Sequence, residues 1–106
     1  MVYTLKRSED FEKVFKKGKR AFSNSLTLLY FKADDIKVGY AVSKKHGKSV
    51  KRNRIKRLLR ESFRCYLPLV KDGFFFVFLP KVKEDYSLTE FKKDMNYLFK
   101  KAELLK

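Results

Sequence analysis

"IKVGYAVSKKHGKSVKRNRIKRLLRESFRCY", residues 36–66, changes its period halfway. Ile36, Val38, Tyr40 and Val42 alternate with Lys37, Gly39, Ala41 and Ser43, which is the two-residue period of a strand with one bulky face and one mostly small face. A small face admits close neighbours. Past Gly47, Ser49 is placed to cap a helix that runs to about Tyr66, before Pro68 ends it. On that helix Ile55, Leu58, Leu59, Ser62, Phe63 and Tyr66 share one arc, and Asn53, Arg57, Arg60 and Arg64 share the opposite one.

The next apolar segment, "GFFFVFLP" from Gly73 to Pro80, is a continuous run of the kind buried on both faces of a sheet. If it pairs parallel with the strand before the helix, the helix is a crossover connection. Upstream, Leu5 to Lys17 reads as a short helix with Ser8 as N-cap, Glu9 and Asp10 near its positive end, Phe11, Val14 and Phe15 on one face, and Gly18 as its stop. "FSNSLTLLYFK", from Phe22, reads as a strand, and Asp34 and Asp35 as a tight turn that joins it in a hairpin to the strand beginning at Ile36. Downstream, Ser87 and Glu90 have capping-box spacing for a last helix, whose inner face carries Leu88, Phe91, Met95, Leu98, Ala102 and Leu105. The expectation is one α/β domain over residues 1–106, a two-layer α+β sandwich in the order α-β-β-α-β-α.

Charge sets the function class. The chain carries 27 Lys and Arg against 12 acidic residues, a net charge of +15 that repels itself unless a polyanion takes it up. Nine basic side chains and no acidic one lie between Lys44 and Arg60. Solvated helix faces usually mix signs, and like charges four residues apart cost a few tenths of a kcal/mol each. Lys44, Lys45 and Lys48 precede the helix, Lys51, Arg52, Arg54 and Lys56 crowd its first turns, and free amides with the positive dipole end point the same way. Arginine suits bidentate phosphate contacts, and Asn53 suits a base edge or a sugar hydroxyl. No apolar run approaches the roughly 20 residues of a membrane span, and the N-terminus lacks a signal-peptide core, so the expectation is a soluble, cytoplasmic protein with no membrane partner. The single Cys65 cannot form an internal disulfide, which is compatible with a reducing compartment.

"SEDFEKVFKKGKR" and "VGYAVSKKHGKSVKRNRIKRLLRESF", with the spacing between them, resemble the bacterial protein subunit of ribonuclease P, above all in the Arg-Asn-Arg segment at Arg52, Asn53 and Arg54. The likeness covers nearly the whole chain, and its C-terminal third matches mainly in pattern. The resemblance implies a left-handed β-α-β crossover, against the usual rule. It also implies an RNA-binding subunit that assists a catalytic RNA in removing the 5′ leader of precursor tRNA. That step is a magnesium-dependent endonucleolytic hydrolysis performed by the RNA, with no catalytic residue, metal or cofactor on the protein and no DNA partner. By position, Arg52, Asn53, Arg54, Lys56, Arg57 and Arg60, with Lys44, Lys45, Lys48 and Lys51 beside them, would contact the catalytic RNA. Phe11, Phe15 and Tyr30 would line a cleft for the leader, because unpaired bases stack on aromatic faces. Two departures from the family pattern are His46, where an apolar residue is common, and the short connection at Asp34 and Asp35.

Seventeen aromatic residues are many for 106, and Phe22, Phe74, Phe75, Phe76, Phe78, Phe91 and Phe99 read as core. The alternatives are a structural RNA-binding protein of the ribosome, which needs no aromatic cleft, and a self-sufficient nuclease. The second would need converging carboxylates, whereas the acidic pairs Glu9 with Asp10, Asp34 with Asp35, and Glu84 with Asp85 each read as a cap, turn or loop. His46 and Cys65 read as ordinary structural residues.

Overall fold

The computed structural model describes residues 3–5 and 8–106. The elements are β1 (Tyr3–Thr4), α1 (Ser8–Lys17), β2 (Lys19–Phe22), β3 (Leu26–Lys32), β4 (Lys37–Tyr40), a 3-10 turn (Lys44–His46), α2 (Ser49–Arg64), β5 (Phe74–Pro80) and α3 (Leu88–Lys101). The three helices and the strands β3, β4 and β5 keep the expected order, and β1 and β2 are added on either side of α1. The first helix begins at Ser8, not Leu5: the Leu5 amide donates to Val38 O at 3.0 Å and its side chain is buried.

The sheet order is β1-β4-β5-β3-β2. The expected hairpin between residues 22–32 and 36–43 does not form. β5 lies between those segments, antiparallel to β3 and parallel to β4. The physical reason is the run Phe74–Pro80, which is apolar on both faces and is best hidden at the sheet centre with both edges paired. Parallel pairing of β4 with β5 meets the condition under which α2 is a crossover helix.

"FSNSLTLLYFK" is also not one strand. Ser23, Asn24 and Ser25 break it, and β2 folds back antiparallel on β3, with Phe22 opposite Thr27. Ser23 Oγ and Leu26 exchange hydrogen bonds of 3.1 Å across this turn, a side-chain mimic of a backbone turn.

Alternation along the central strands separates two cores. Leu26, Leu28, Val38, Phe76 and Phe78 point to the face covered by α2 and α3, where they meet Ile55, Leu59, Phe63, Phe91, Met95, Leu98 and Phe99. Leu29 and Val77 point the other way and meet Leu5 and Val14 beneath α1. The small face of β4 has a definite use. A Cβ on Gly39 would lie 2.7 Å from the Phe11 ring and 3.2 Å from Leu5 Cβ, so only glycine lets that ring settle on the sheet.

The last helix starts as expected, with Ser87 Oγ accepting from the Glu90 amide at 3.1 Å. The Glu90 carboxylate pairs with Lys83 and does not close the box. At α2 the cap differs from expectation: Lys48 occupies the cap position without a side-chain hydrogen bond, and Ser49 is the first helical residue.

Candidate nucleic-acid interface

One stripe of α2 is fastened to the core by Ile55, Leu59, Ser62 and Phe63, all buried, which fixes the direction of everything opposite. Asn53, Arg54, Arg57, Arg60 and Arg64 are exposed on the far side, with Lys44, Lys45, Lys48 and Lys51 exposed at its start; Arg52 and Lys56 are half-buried. The described ion pairs are Lys16–Glu12, Lys37–Asp10, Lys83–Glu90 and Lys106–Asp72. None of them involves the nine cations from Lys44 to Arg60. Glu84 and Asp85 line a small cavity with Lys51 and Arg54, yet neither comes within ion-pair distance of them. The segment thus displays positive charge that the described residues leave uncompensated.

Two details orient it. Arg52 donates from Nη2 to Ser49 Oγ at 3.2 Å, while its Nε is buried without a hydrogen-bond partner among the described residues. The turn before the helix is held by His46, which is buried with Nδ1 2.9 Å from Tyr86 Oη. Tyr86 Oη accepts from the Lys83 amide and donates to Lys81 O, and the ring stacks on buried Phe91. Burial lowers the His46 pKa, so the imidazole is neutral near pH 7 and acts as a structural peg. Gly47, at φ 113°, supplies the left-handed residue that turns the chain into α2.

Arg64 and Tyr40 extend the surface beyond the residues singled out from sequence. The Arg60 guanidinium lies 6.0 Å from the Tyr40 ring centre, and both arginines line a cavity of about 210 Å3 with Tyr40 and Phe63. Arg64 was visible on the outer arc four residues after Arg60; Tyr40 was hidden among the core positions of its strand. Burial pushes the Tyr40 hydroxyl up to about 12, against the opposing pull of Arg60 and Arg64. Because the folded value lies above the unfolded one near 10, this stability is complete below pH 10 and is lost as pH rises toward 12. Two units correspond to about 2 to 3 kcal/mol. Denaturant titrations at pH 9 and pH 11.5 are expected to show a steeper alkaline loss for the parent chain than for Tyr40→Phe; parallel losses would place the titrating group elsewhere.

The structure does not bring the three proposed leader residues together. Phe11 and Phe15 stack on α1 with ring centres 6.5 Å apart; Phe11 is half-buried over Gly39 and Phe15 is 36% exposed. Tyr30 packs against the opposite core, edge-to-face with Phe74 at 6.3 Å. Phe31 and Phe75 are the sheet aromatics on the α1 face, and Lys37 Nζ lies 5.4 Å from the Phe75 ring. Tyr30 lines a separate cavity of about 440 Å3 with Phe31 and Phe74, ringed by Lys17, Lys19, Lys32 and Lys71. Of the phenylalanines expected in the core, Phe76, Phe78, Phe91 and Phe99 are fully buried, Phe74 and Phe75 are half-buried, and Phe22 is exposed. On the edge strand β2 it is its neighbour Ala21 that turns into the core.

Among the described residues no three His, Cys, Asp or Glu side chains gather in a group able to hold a metal ion, and no helix is long and apolar enough to cross a membrane. Cys65 is exposed at the C-cap of α2.

A crossover helix carrying uncompensated cations on a small α+β sandwich defines a class of small basic protein whose fold displays charge on one helix face. The sequence model of the ribonuclease P family matches residues 2–103. The chain is 41% identical over 106 residues to the ribonuclease P protein component of Bacillus velezensis, covering 96% of this chain and 90% of the relative. It is 42% identical over 111 residues to that of Clostridium kluyveri, covering 99% and 98%. The ribonuclease P protein structure from Thermotoga maritima superposes with a TM-score of 0.80 at 31% identity, over 92% of this chain and 96% of that one. The Staphylococcus aureus structure, at 24% identity, shares the fold with a TM-score of 0.85 over 98% of both chains. The chain belongs to the bacterial ribonuclease P protein family, whose members are the protein component of a tRNA-processing ribonucleoprotein.

Proposed function

We propose that the chain is the non-catalytic protein subunit of a ribonuclease P holoenzyme, binding the catalytic RNA through α2 and the leader of precursor tRNA through the aromatic surface beside α1. The observation that carries this reading is the set of nine cations from Lys44 to Arg60, six on a helix held by its buried stripe and three on the turn that leads into it, with no ion pair to an acidic side chain among the described residues. Phosphates supply those partners, and Arg52, Asn53, Arg54, Lys56, Arg57 and Arg60 are the principal contacts. The leader enters over Phe15 and Phe11, with Phe31 and Phe75 as the floor, and Phe31 leads on to the lysine-ringed cavity at Tyr30. The hydrolysis itself, with its magnesium, belongs to the RNA; the protein positions substrate and screens phosphate repulsion.

The test is reconstitution with a bacterial catalytic RNA at low magnesium, following release of the leader. Adding the protein is expected to restore cleavage, and affinity for the catalytic RNA is expected to fall about 10³- to 10⁵-fold between 50 and 200 mM salt if six to ten phosphates are engaged. A nearly flat salt dependence would remove α2 from the interface, and cleavage by the protein without RNA would make it a nuclease in its own right. Binding that ignores the leader would favour a structural RNA-binding role of the ribosomal kind.

A further inference from the structure

Phe22 and Tyr97 are 53% and 52% exposed, and both line a cavity of about 510 Å3 between the β2–β3 turn and α3. Ser23, Asn24, Lys93 and Asp94 complete its wall. It lies apart from α2 and from the α1 aromatics, and nothing in the reading above uses it. Its framework is fixed: Asp94 is only 8% exposed, its Oδ2 accepts from the Ser25 amide at 3.0 Å and from Ser25 Oγ, and Lys81 Nζ donates to Ser23 O at 2.6 Å. Asp94 Oδ1 has no donor among the described residues. The site therefore offers two exposed aromatic rings, a carboxylate oxygen that no described group engages, an amide at Asn24, and positive charge at Lys93 and at Lys101, whose Nζ lies 5.7 Å from the Tyr97 ring.

We propose that this cavity takes an unpaired guanine base of an RNA. Stacking on an exposed aromatic selects a planar ring but no particular base. The carboxylate supplies the choice, because a carboxylate accepts only and guanine alone presents two adjacent donors, N1–H and N2–H2, on its Watson–Crick edge. Adenine and cytosine set a ring-nitrogen acceptor beside their amino group, and uracil flanks its single N–H with carbonyls, so each brings an acceptor toward Asp94. Lys93 and Lys101 favour the nucleotide's phosphate over a cationic peptide, in a chain whose net charge of +15 already repels cations. The proposal goes beyond the assembly described above, and its test needs no catalytic RNA, so the two fail separately.

The experiment is an amide NMR titration of the full chain with GMP, AMP, CMP, UMP and ribose 5-phosphate. GMP is expected to move the resonances of residues 22–25 and 93–97 and to bind about tenfold more tightly than the other nucleotides, roughly the worth of one hydrogen bond to a charged group, since only Oδ1 is free to accept. Phe22→Ala and Tyr97→Ala are each expected to weaken GMP binding by about tenfold without lowering the melting temperature, since both rings are half in solvent. Asp94→Asn keeps an acceptor for Ser25 and turns the free position into a donor, so it is expected to abolish the preference for GMP. Equal binding of all four nucleotides, the same response to ribose 5-phosphate, or no movement at these residues would overturn the assignment.

Discussion

Replacing Arg52, Arg54 and Arg57 together by Ala is expected to weaken binding of the catalytic RNA by a hundredfold or more while the protein stays folded. Charge-assisted hydrogen bonds are worth about 1.5 to 3 kcal/mol each, so three lost contacts exceed the ~2.7 kcal/mol of a hundredfold change even if they are only partly made. The salt slope is expected to fall by about three, one for each phosphate released. Stability should hold or rise: Arg54 and Arg57 are exposed, Arg52 carries a buried Nε without a partner, and each removed cation relieves repulsion from neighbours three and four residues away. A rise in melting temperature alongside lost RNA affinity is the signature of a segment kept for binding at some expense to the fold. A drop in melting temperature with RNA affinity intact would make these arginines structural.

The uneven legibility of this chain in its sequence has physical causes. α2 was readable because both its stripes are local: the 3.6-residue period that seats Ile55, Leu59 and Phe63 also aims Arg57, Arg60 and Arg64 outward. The sheet order was not, because strand pairing is a long-range choice. The Asp34–Asp35 turn does join β3 to β4, but the demand of Phe76, Val77 and Phe78 for burial on both faces pushes β5 between them. The placement of Tyr30 away from Phe11 and Phe15 was hidden for a related reason. Alternation shows that Tyr30 shares a face with Leu28 and that Phe31 shares one with Leu29, but only the packed structure shows which face α1 covers. The turn at Ser23, Asn24 and Ser25 has its signal in three consecutive turn-forming residues, but the strong apolar run beyond them makes the whole segment read as one strand.

Phe15→Ala, measured in the assembled ribonucleoprotein, is expected to lower affinity for precursor tRNA by about tenfold and leave affinity for mature tRNA unchanged. Stacking of a base on an aromatic is worth about 1 to 3 kcal/mol by alanine substitution, whereas truncating a buried Phe costs about 3 to 5 kcal/mol of stability, so the two roles separate in different assays. Phe15 is the cleaner probe because it is 36% exposed, while Phe11 is seated over Gly39 and its removal would also loosen α1. Tyr30→Ala asks a different question, since Tyr30 lies on the far face of the sheet in the cavity ringed by Lys17, Lys19, Lys32 and Lys71. A leader that stops on the α1 face never meets it; one that continues past Phe31 and the end of α1 does. Its effect is therefore expected only with longer leaders, and the Phe15 effect with short and long ones alike. Equal losses for precursor and mature tRNA in the Phe15 variant, with its melting temperature preserved, would take the leader off the α1 face altogether. A Tyr30 effect that does not depend on leader length would place the first leader nucleotides in the lysine-ringed cavity instead.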